Sequence, residues 1–280
     1  MNEPVITSRD NSLAKHARAV RDGKIHEQIF IEGLRLCEEA AQALSADALQ
    51  HIICTQSFAQ SERGASLVEA LGKEGKRPTF ASEAVFASIS DTKSPQGVVL
   101  LASRPATNQS QLLKNLDRAR LLVILHKINN PSNAGAILRT AEAAGVWGII
   151  LTGGATDIFS PKALRGAMGS SFRLPLWTGA SLDEAIVFCR EHGIRSVCTD
   201  PRAERAHTET DWTIPSALII GPEARGLERS EIALADESLK IPMHAPVESL
   251  NVAVATGIIL YEAARQTAVG GGQGAVDSKF

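Results

Sequence analysis

RLLVILHKINNPSNAGAILRTAEAAGVWGIIL, running from Arg120 to Leu151, is the stretch on which the fold turns. It opens on an apolar run, Arg120–Leu125, short enough for a buried strand. A helix over Ala134–Ala144 follows, closed by Gly145, which tolerates the left-handed position just past a helix end. Trp147–Leu151 reads as the next strand. Strand, helix and strand in this order form a parallel crossover unit.

The alternation continues on both sides. Downstream, Leu182–His192 reads as a helix closed by Gly193, strands follow at Ser196–Thr199 and Ala217–Ile220, and a last helix runs from about Asn251 to Arg265. This pattern predicts an α/β domain with a parallel sheet covered on both faces. Upstream, helices are expected at Asn11–Asp22, Leu34–Ala43 and Ser66–Gly72, with strands at Gln28–Ile31, Leu49–Cys54 and Gly97–Ala102. SRPATNQSQ is polar, carries a proline and reads as a linker. The expected division is a front domain over 1–104, a linker over 105–117, a second domain over 118–268 and a tail over 269–280. The tail ends in GGGQGAVDSKF, which has no apolar period and reads as disordered.

Composition bounds the answer without naming it. The chain has 280 residues, 44% hydrophobic and 21% charged, which excludes a disordered or collagen-like protein. No apolar run approaches the roughly 20 residues that cross a bilayer. The N-terminal MNEPVITSRDN lacks the basic-then-apolar pattern of a signal peptide, so a cytoplasmic protein with no membrane partner is expected. Cys37, Cys54, Cys189 and Cys198 are scattered without CxxC or zinc spacing, and read as reduced, buried thiols with no metal site. The net charge of −2 means that any nucleic-acid binding must rest on a local patch.

Open α/β sheets take ligands at the carboxyl ends of their strands. No GxGxxG follows any strand, which disfavours a nicotinamide-dependent enzyme. Three other segments lie at or just after strand ends. In NNPSNAGAILRTAEAAG, Asn133 is a candidate helix cap, and Arg139, about 600° further round the helix, projects roughly 120° away from it. In LIIGPEARGL, Gly221 permits close backbone approach and Glu223 places a carboxylate beside it. In KIPMHAPVESLNVAVATGIILYEAAR, Ile241-Pro242-Met243 reads as the end of a short strand, and Ser249 and Asn251 open an apolar helix. Each segment alone also reads as a plain cap or turn.

Together the three segments carry more. N-x-G-x-x-x-R, then GPEARGL, then IPM with ESLNVAVATGI, in that order and spacing over about residues 120–265, resemble the motifs of the SpoU (TrmH-like) class of SPOUT RNA methyltransferases. ITSRDNSLAKHARAV, QIFIEGLRLCEEA and SPQGVVLLA resemble the ribosomal-protein-like substrate-binding domain of that class. The resemblance implies a C-terminal parallel-sheet domain with a deep trefoil knot, preceded by a smaller α/β RNA-binding domain. It implies S-adenosylmethionine as cofactor, RNA as partner and a homodimer built through the knotted domain. Position by position, Arg139, Asn133, Glu223, Ser249 and Asn251 match the catalytic residues of the class. Gly221, Ile241 and Leu250 match its largely backbone-made cofactor contacts, to which Met243 and Thr199 are added. Ala224 departs from a motif that often has glycine there.

The reaction implied is methylation of a ribose 2′-hydroxyl, of ribosomal RNA in view of the front domain, or alternatively of tRNA. A guanidinium holds its proton to a pKa above about 12, so Arg139 is assigned to phosphate binding and alkoxide stabilisation rather than to base catalysis. Residues 1–104 hold 12 Lys+Arg against 13 Asp+Glu, a net of −1. Lys15, Arg18 and Arg21, flanked by Arg9 and Lys24, form a basic stripe that serves either as a solvated face or as an RNA contact. The rival from another class is a non-catalytic RNA-binding or ribosome-associated module.

Overall fold

The computed structural model describes residues 5–114, 116 and 120–270, and it resolves into two compact units. One comprises the described residues up to Pro105 together with Asp157–Arg173; the other comprises Ala106–Thr156 and the described residues from Leu174 onward. The expected tail beyond residue 270 lies outside the described residues.

The front unit carries β1 (Val5–Ile6), α1 (Ser12–Arg21), β2 (Gln28–Glu32), α2 (Leu34–Ala43), β3 (Leu49–Cys54), α3 (Gln56–Gln60), α4 (Glu62–Lys73), β4 (Pro78–Ala81), α5 (Glu83–Ile89) and β5 (Val98–Ser103). The strands form a mixed sheet in the order β1-β4-β3-β5-β2, with β5 antiparallel to both β2 and β3. Ala14, Ala17 and Val20 of α1 and Phe86 and Ile89 of α5 are buried against Phe30, Ile53, Val99 and Leu101 of the sheet. The three strands and three helices expected here are present. α4, however, starts at Glu62, because Ser61 accepts from Gly64 N and caps it four residues earlier than the apolar pattern suggests. β4 and α5 carry no expectation from sequence: the four-residue strand opens on a proline, and the helix has only seven residues.

The basic stripe of α1 is largely spent inside this unit. Arg21 Nη1 donates to the carbonyls of Ser88, Ile89 and Ser90 at 3.2, 3.2 and 3.0 Å, satisfying the open C-terminus of α5. Arg18 donates to the Arg9 carbonyl at 2.7 Å and to Ser88 Oγ at 3.3 Å. Lys15 pairs with Asp10 at 3.0 Å and stays in solvent.

The second unit takes up the chain at α6 (Gln109–Leu113), β6 (Leu121–Leu125), α7 (Pro131–Ala143) and β7 (Gly148–Thr152). α8 (Pro161–Ala167) and α9 (Ser170–Arg173) belong to the front unit. β8 (Leu176–Ala180), α10 (Leu182–Glu191), β9 (Arg195–Thr199), β10 (Ser216–Ile220), α11 (Arg229–Ile232), β11 (Glu237–Leu239) and α12 (Val252–Gly270) complete the second unit. The polar stretch expected as a linker contains α6, whose Leu112 is fully buried in the second core.

All six strands of the second sheet are parallel, in the order β11-β9-β10-β6-β7-β8. Every residue of β6, β7 and β10 is buried, as expected of strands covered on both faces. From β6 the chain builds outward through β7 to β8, then returns so that β10 pairs with the other edge of β6. This reversal creates the crevice where open α/β sheets place ligands. β11 ends at Leu239, so Ile241-Pro242-Met243 lies in the loop beyond the strand rather than closing it.

The four thiols are buried and none is in a disulfide. Burial pushes Cys189 up to about 12 and Cys198 to about 11, and raises Cys37 further. Arg21→Ala should leave three carbonyls without their donor and lower the urea-unfolding free energy by about 1–3 kcal/mol. The solvent-exposed Lys15→Ala should change it by less than about 0.5 kcal/mol. Equal losses in the two variants would contradict the capping role of Arg21.

Candidate active site

Loops at the carboxyl ends of β6, β10 and β11 meet around a cavity of about 1020 Å³. The first loop enters α7 through Asn130, whose Oδ1 accepts from Ser132 N at 2.9 Å and Asn133 N at 3.4 Å. Asn133 is therefore not the cap that its position suggested. Pro131 lacks an N–H and has the φ of a first helical residue, which fixes the cap one position before it.

Freed from capping, the Asn133 side chain bridges the other two loops. Its Nδ2 donates to Glu223 Oε1 at 3.2 Å, and its Oδ1 accepts from Asn251 Nδ2 at 3.2 Å. Glu223 Oε2 accepts from Asn129 N at 3.4 Å. Asn251 does cap its helix, through Oδ1 to Ala253 N at 2.9 Å and Val254 N at 3.4 Å. One chain of side chains thus crosses all three motifs.

Gly221 ends β10 where the loop folds back on itself. A Cβ there would lie 2.8 Å from Leu227 N, too close for any side chain. Thr199, Gly221, Ile241, Met243 and Leu250 all line the cavity, as do Asn133, Glu223, Ser249 and Asn251. Ile220, Leu239 and Ile259 give it an apolar floor, and Asp200 adds a half-buried carboxylate beside Thr199.

Arg139 stands apart. It is exposed, does not line the cavity, and has no hydrogen-bond or ion-pair partner among the described residues. The helical geometry explains this: six residues beyond Asn133, it leaves α7 on a different side.

Sequence reasoning missed a second carboxylate of the β10–α11 region. Glu231 Oε1 accepts from His126 Nε2 at 2.8 Å and Lys127 Nζ at 3.0 Å, and Oε2 accepts from Glu228 N at 2.9 Å. The spacing of Glu228 and Glu231 is that of a capping box, but a glutamate in the cap position gives a weak signal. Partial burial works to raise the Glu231 carboxyl. The hydrogen bonds from Glu228, Lys127 and His126 outweigh it and hold the group at about 2.

With the fold and cavity in place, comparison with known proteins identifies the family. The SpoU rRNA Methylase family matches residues 120–261, and the RNA 2′-O ribose methyltransferase substrate-binding family matches residues 30–107. An uncharacterized tRNA/rRNA methyltransferase of Synechocystis is 34% identical, with 93% of each chain covered. A 23S rRNA (guanosine-2′-O-)-methyltransferase of Ralstonia nicotianae is 31% identical over 75% of this chain and 85% of its own. The AdoMet-bound rRNA methyltransferase of Sinorhizobium meliloti superposes with a TM-score of 0.80 at 29% identity, covering 94% of this chain and 97% of that one. The chain belongs to the SpoU rRNA methylase family. It is an S-adenosylmethionine-dependent RNA methyltransferase with a substrate-binding domain in front.

The Glu231 carboxyl has a folded value below its ordinary 4.5, so it contributes stability above that pH. The contribution is lost as pH falls toward about 2. Glu262, held at about 2 chiefly by hydrogen bonds from Arg265 and Gln266, titrates in the same window. Glu231→Gln should therefore make the decline of urea-unfolding free energy between pH 5 and pH 2 shallower without abolishing it. An unaltered slope would contradict the pairing of Glu231.

Proposed function

We propose that the chain methylates a ribose 2′-hydroxyl of ribosomal RNA, with residues 1–104 holding the RNA and residues 118–268 carrying out the transfer. The observation that carries this reading is the Glu223–Asn133–Asn251 chain of hydrogen bonds, which joins three separated motifs across one cavity. The cavity suits the cofactor: at about 1020 Å³ it lies at the upper end of small-molecule sites, roughly 300–1,000 Å³, and it combines an apolar floor with polar and charged groups on its walls. Gly221, Ile241, Leu250, Met243 and Thr199 would hold S-adenosylmethionine there. The cofactor supplies a methyl group already activated by its sulfonium, so in-line attack by the hydroxyl needs alignment above all.

Asn133, Ser249 and Asn251 fix the ribose and the loops that frame it. Glu223, an acceptor when ionised, orients Asn133 and the Asn129 N–H. Arg139 binds the RNA phosphate and stabilises the negative charge that develops on the 2′-oxygen; phosphate or water takes the proton.

Arg139 lies off its own chain's cavity, and a homodimer accounts for that. Val254, Ile258 and Tyr261 form an exposed apolar stripe on α12 at helical spacing, continued by Val247 and Leu250. α12 packs on α7, where a Cβ on Gly257 would lie 3.4 Å from Thr140, the neighbour of Arg139. Two-fold docking through this stripe would offer Arg139 to the partner's cavity. The same reading includes the trefoil knot of the class in the loops beyond β10 and β11, and a cytoplasmic location. No helix among the described residues is long and apolar enough to cross a membrane.

The matched substrate-binding domain, with the 23S rRNA methyltransferase among the relatives, favours rRNA over tRNA. Transfer of radiolabelled methyl from S-adenosylmethionine to unmodified large-subunit rRNA and to bulk tRNA, assayed in parallel, tests it. Label in rRNA is expected, with Arg139→Ala losing at least about 100-fold in transfer, the scale of a lost transition-state donor, while cofactor binding persists. Label in tRNA alone would overturn the rRNA assignment. Absent cofactor binding would return the chain to a non-catalytic binding module.

A further inference from the structure

The β10–α11 segment sends two carboxylates, Glu223 and Glu231, to opposite ends of the His126–Asn133 stretch that presents Asn133 to the cavity. At the far end, Glu223 accepts from Asn129 N and Asn133 Nδ2. At the near end, Glu231 accepts from His126 and Lys127. The near end is the more buried of the two: the His126 side chain is 4% exposed and Glu231 15%.

The His126 ring is fixed on both sides. Nε2 faces Glu231 Oε1 at 2.8 Å and Nδ1 faces Thr152 Oγ1, on β7, at 3.0 Å. An ionised carboxylate only accepts, so Nε2 carries a proton. Thr152 Oγ1 also accepts from Lys127 N at 3.1 Å. Lys127 sits at φ 52°, a left-handed conformation that a residue with a Cβ seldom adopts, and its ammonium closes on Glu231 at 3.0 Å. The turn into the first motif is thus held by side chains that do not themselves line the cavity, although Glu231 also accepts from the backbone of Glu228, which does.

We propose that Glu231, acting through His126 and Lys127, is a positioning residue for the transfer reaction: it fixes the turn that sets where Asn133 stands. The proposal rests on the methyltransferase reading for its kinetic consequence, and on geometry alone for its structural one. Of the residues assigned to the cofactor, Gly221 opens the β10–α11 segment and Ile241 and Leu250 lie beyond β11; none is on the His126–Asn133 turn. Loosening the turn therefore displaces the RNA-side group while leaving the cofactor's contacts in place.

Glu231→Gln keeps an acceptor for the buried His126 and removes the charge. Lys127→Ala, at a side chain 50% exposed, removes the ion pair without burying an unpartnered group. In the full-length chain, both variants should keep the affinity for S-adenosylmethionine within about threefold while kcat falls on the order of 10- to 100-fold, the scale of a misplaced reacting group. Hydrogen exchange at the Lys127 and Asn129 amides should accelerate in both. The Glu223→Gln, Glu231→Gln double variant should lose less than the product of the single losses, because both carboxylates act through one segment. Unchanged kcat in both variants would overturn the proposal, as would cofactor affinity and kcat falling in parallel with Tm. The exchange measurement needs no cofactor or RNA. If the native chain transfers no methyl, faster exchange at those amides still supports the clamp and unchanged exchange still overturns it, separately from the fate of the function assigned above.

Discussion

The in-register pairing of β10 with β6, from Ser216 opposite Leu121 to Ile220 opposite Leu125, is the constraint on which the site depends. It sets the ends of two strands side by side although nearly a hundred residues separate them in the chain. The backbone pairing extends one residue further, His126 N donating to the Ile220 carbonyl at 2.8 Å. Immediately beyond it, the two chains diverge into the first and second motifs. Glu223 can then reach Asn129 and Asn133, and Glu231 can reach His126 and Lys127, without any long side chain spanning open space. A register slip of one residue would turn the side chains of the slipped strand to the opposite faces, disrupt the packing on both, and part these groups together. Sheet stability and site geometry are here one requirement.

Much of the second unit was legible because its strands are buried on both faces. LLVIL and ALII are apolar throughout, and such runs bounded by glycine and polar turns admit few alternatives. The first-motif helix was placed three residues late, since the apolar period starts at Ala134 while Asn130 and Pro131 begin it chemically. The correction matters for function: an Asn133 spent on capping would not be free to bridge Glu223 and Asn251. β8 escaped notice because LWTGA carries a glycine and alternates poorly. The use made of Arg21 is hidden for a different reason. A basic stripe on a helix is visible in sequence, but three carbonyls at the end of another helix, nearly seventy residues away, are not.

The use made of the arginines alters where RNA contact is to be sought. With Arg18 and Arg21 engaged within the front unit, the α1 stripe offers little free positive charge. Arg104 is likewise paired with Asp157 and stacked over Phe159, its guanidinium 4.7 Å from the ring centroid. On the wall of the second unit's cavity, by contrast, Arg225 and Arg229 are exposed and make no side-chain hydrogen bond or ion pair among the described residues. A chain with a net charge of −2 gains little from long-range attraction to a polyanion, so local cations must do the work at short range.

That economy bears on why the site is split between a rigid part and an exposed one. Of the residues proposed to hold the cofactor, Thr199 and Gly221 sit at strand ends, where the missing Cβ of Gly221 lets Leu227 N approach, and Ile241, Met243 and Leu250 lie in the loop beyond β11. Arg139, the residue matched to charge stabilisation, is exposed and has no hydrogen-bond or ion-pair partner among the described residues. A guanidinium kept in water costs no desolvation until a phosphate arrives, and an apolar stripe on the adjoining helix supplies the surface through which a second subunit would remove that water. In a single chain the cavity has its asparagine bridge, and Arg225 and Arg229 on its wall, but not Arg139. On the proposed reading, dimerisation through α12 would add Arg139 to the partner's cavity as well as bury the stripe, and would make the arrangement of Arg139 on α7 a consequence of helix phase rather than a misplaced residue.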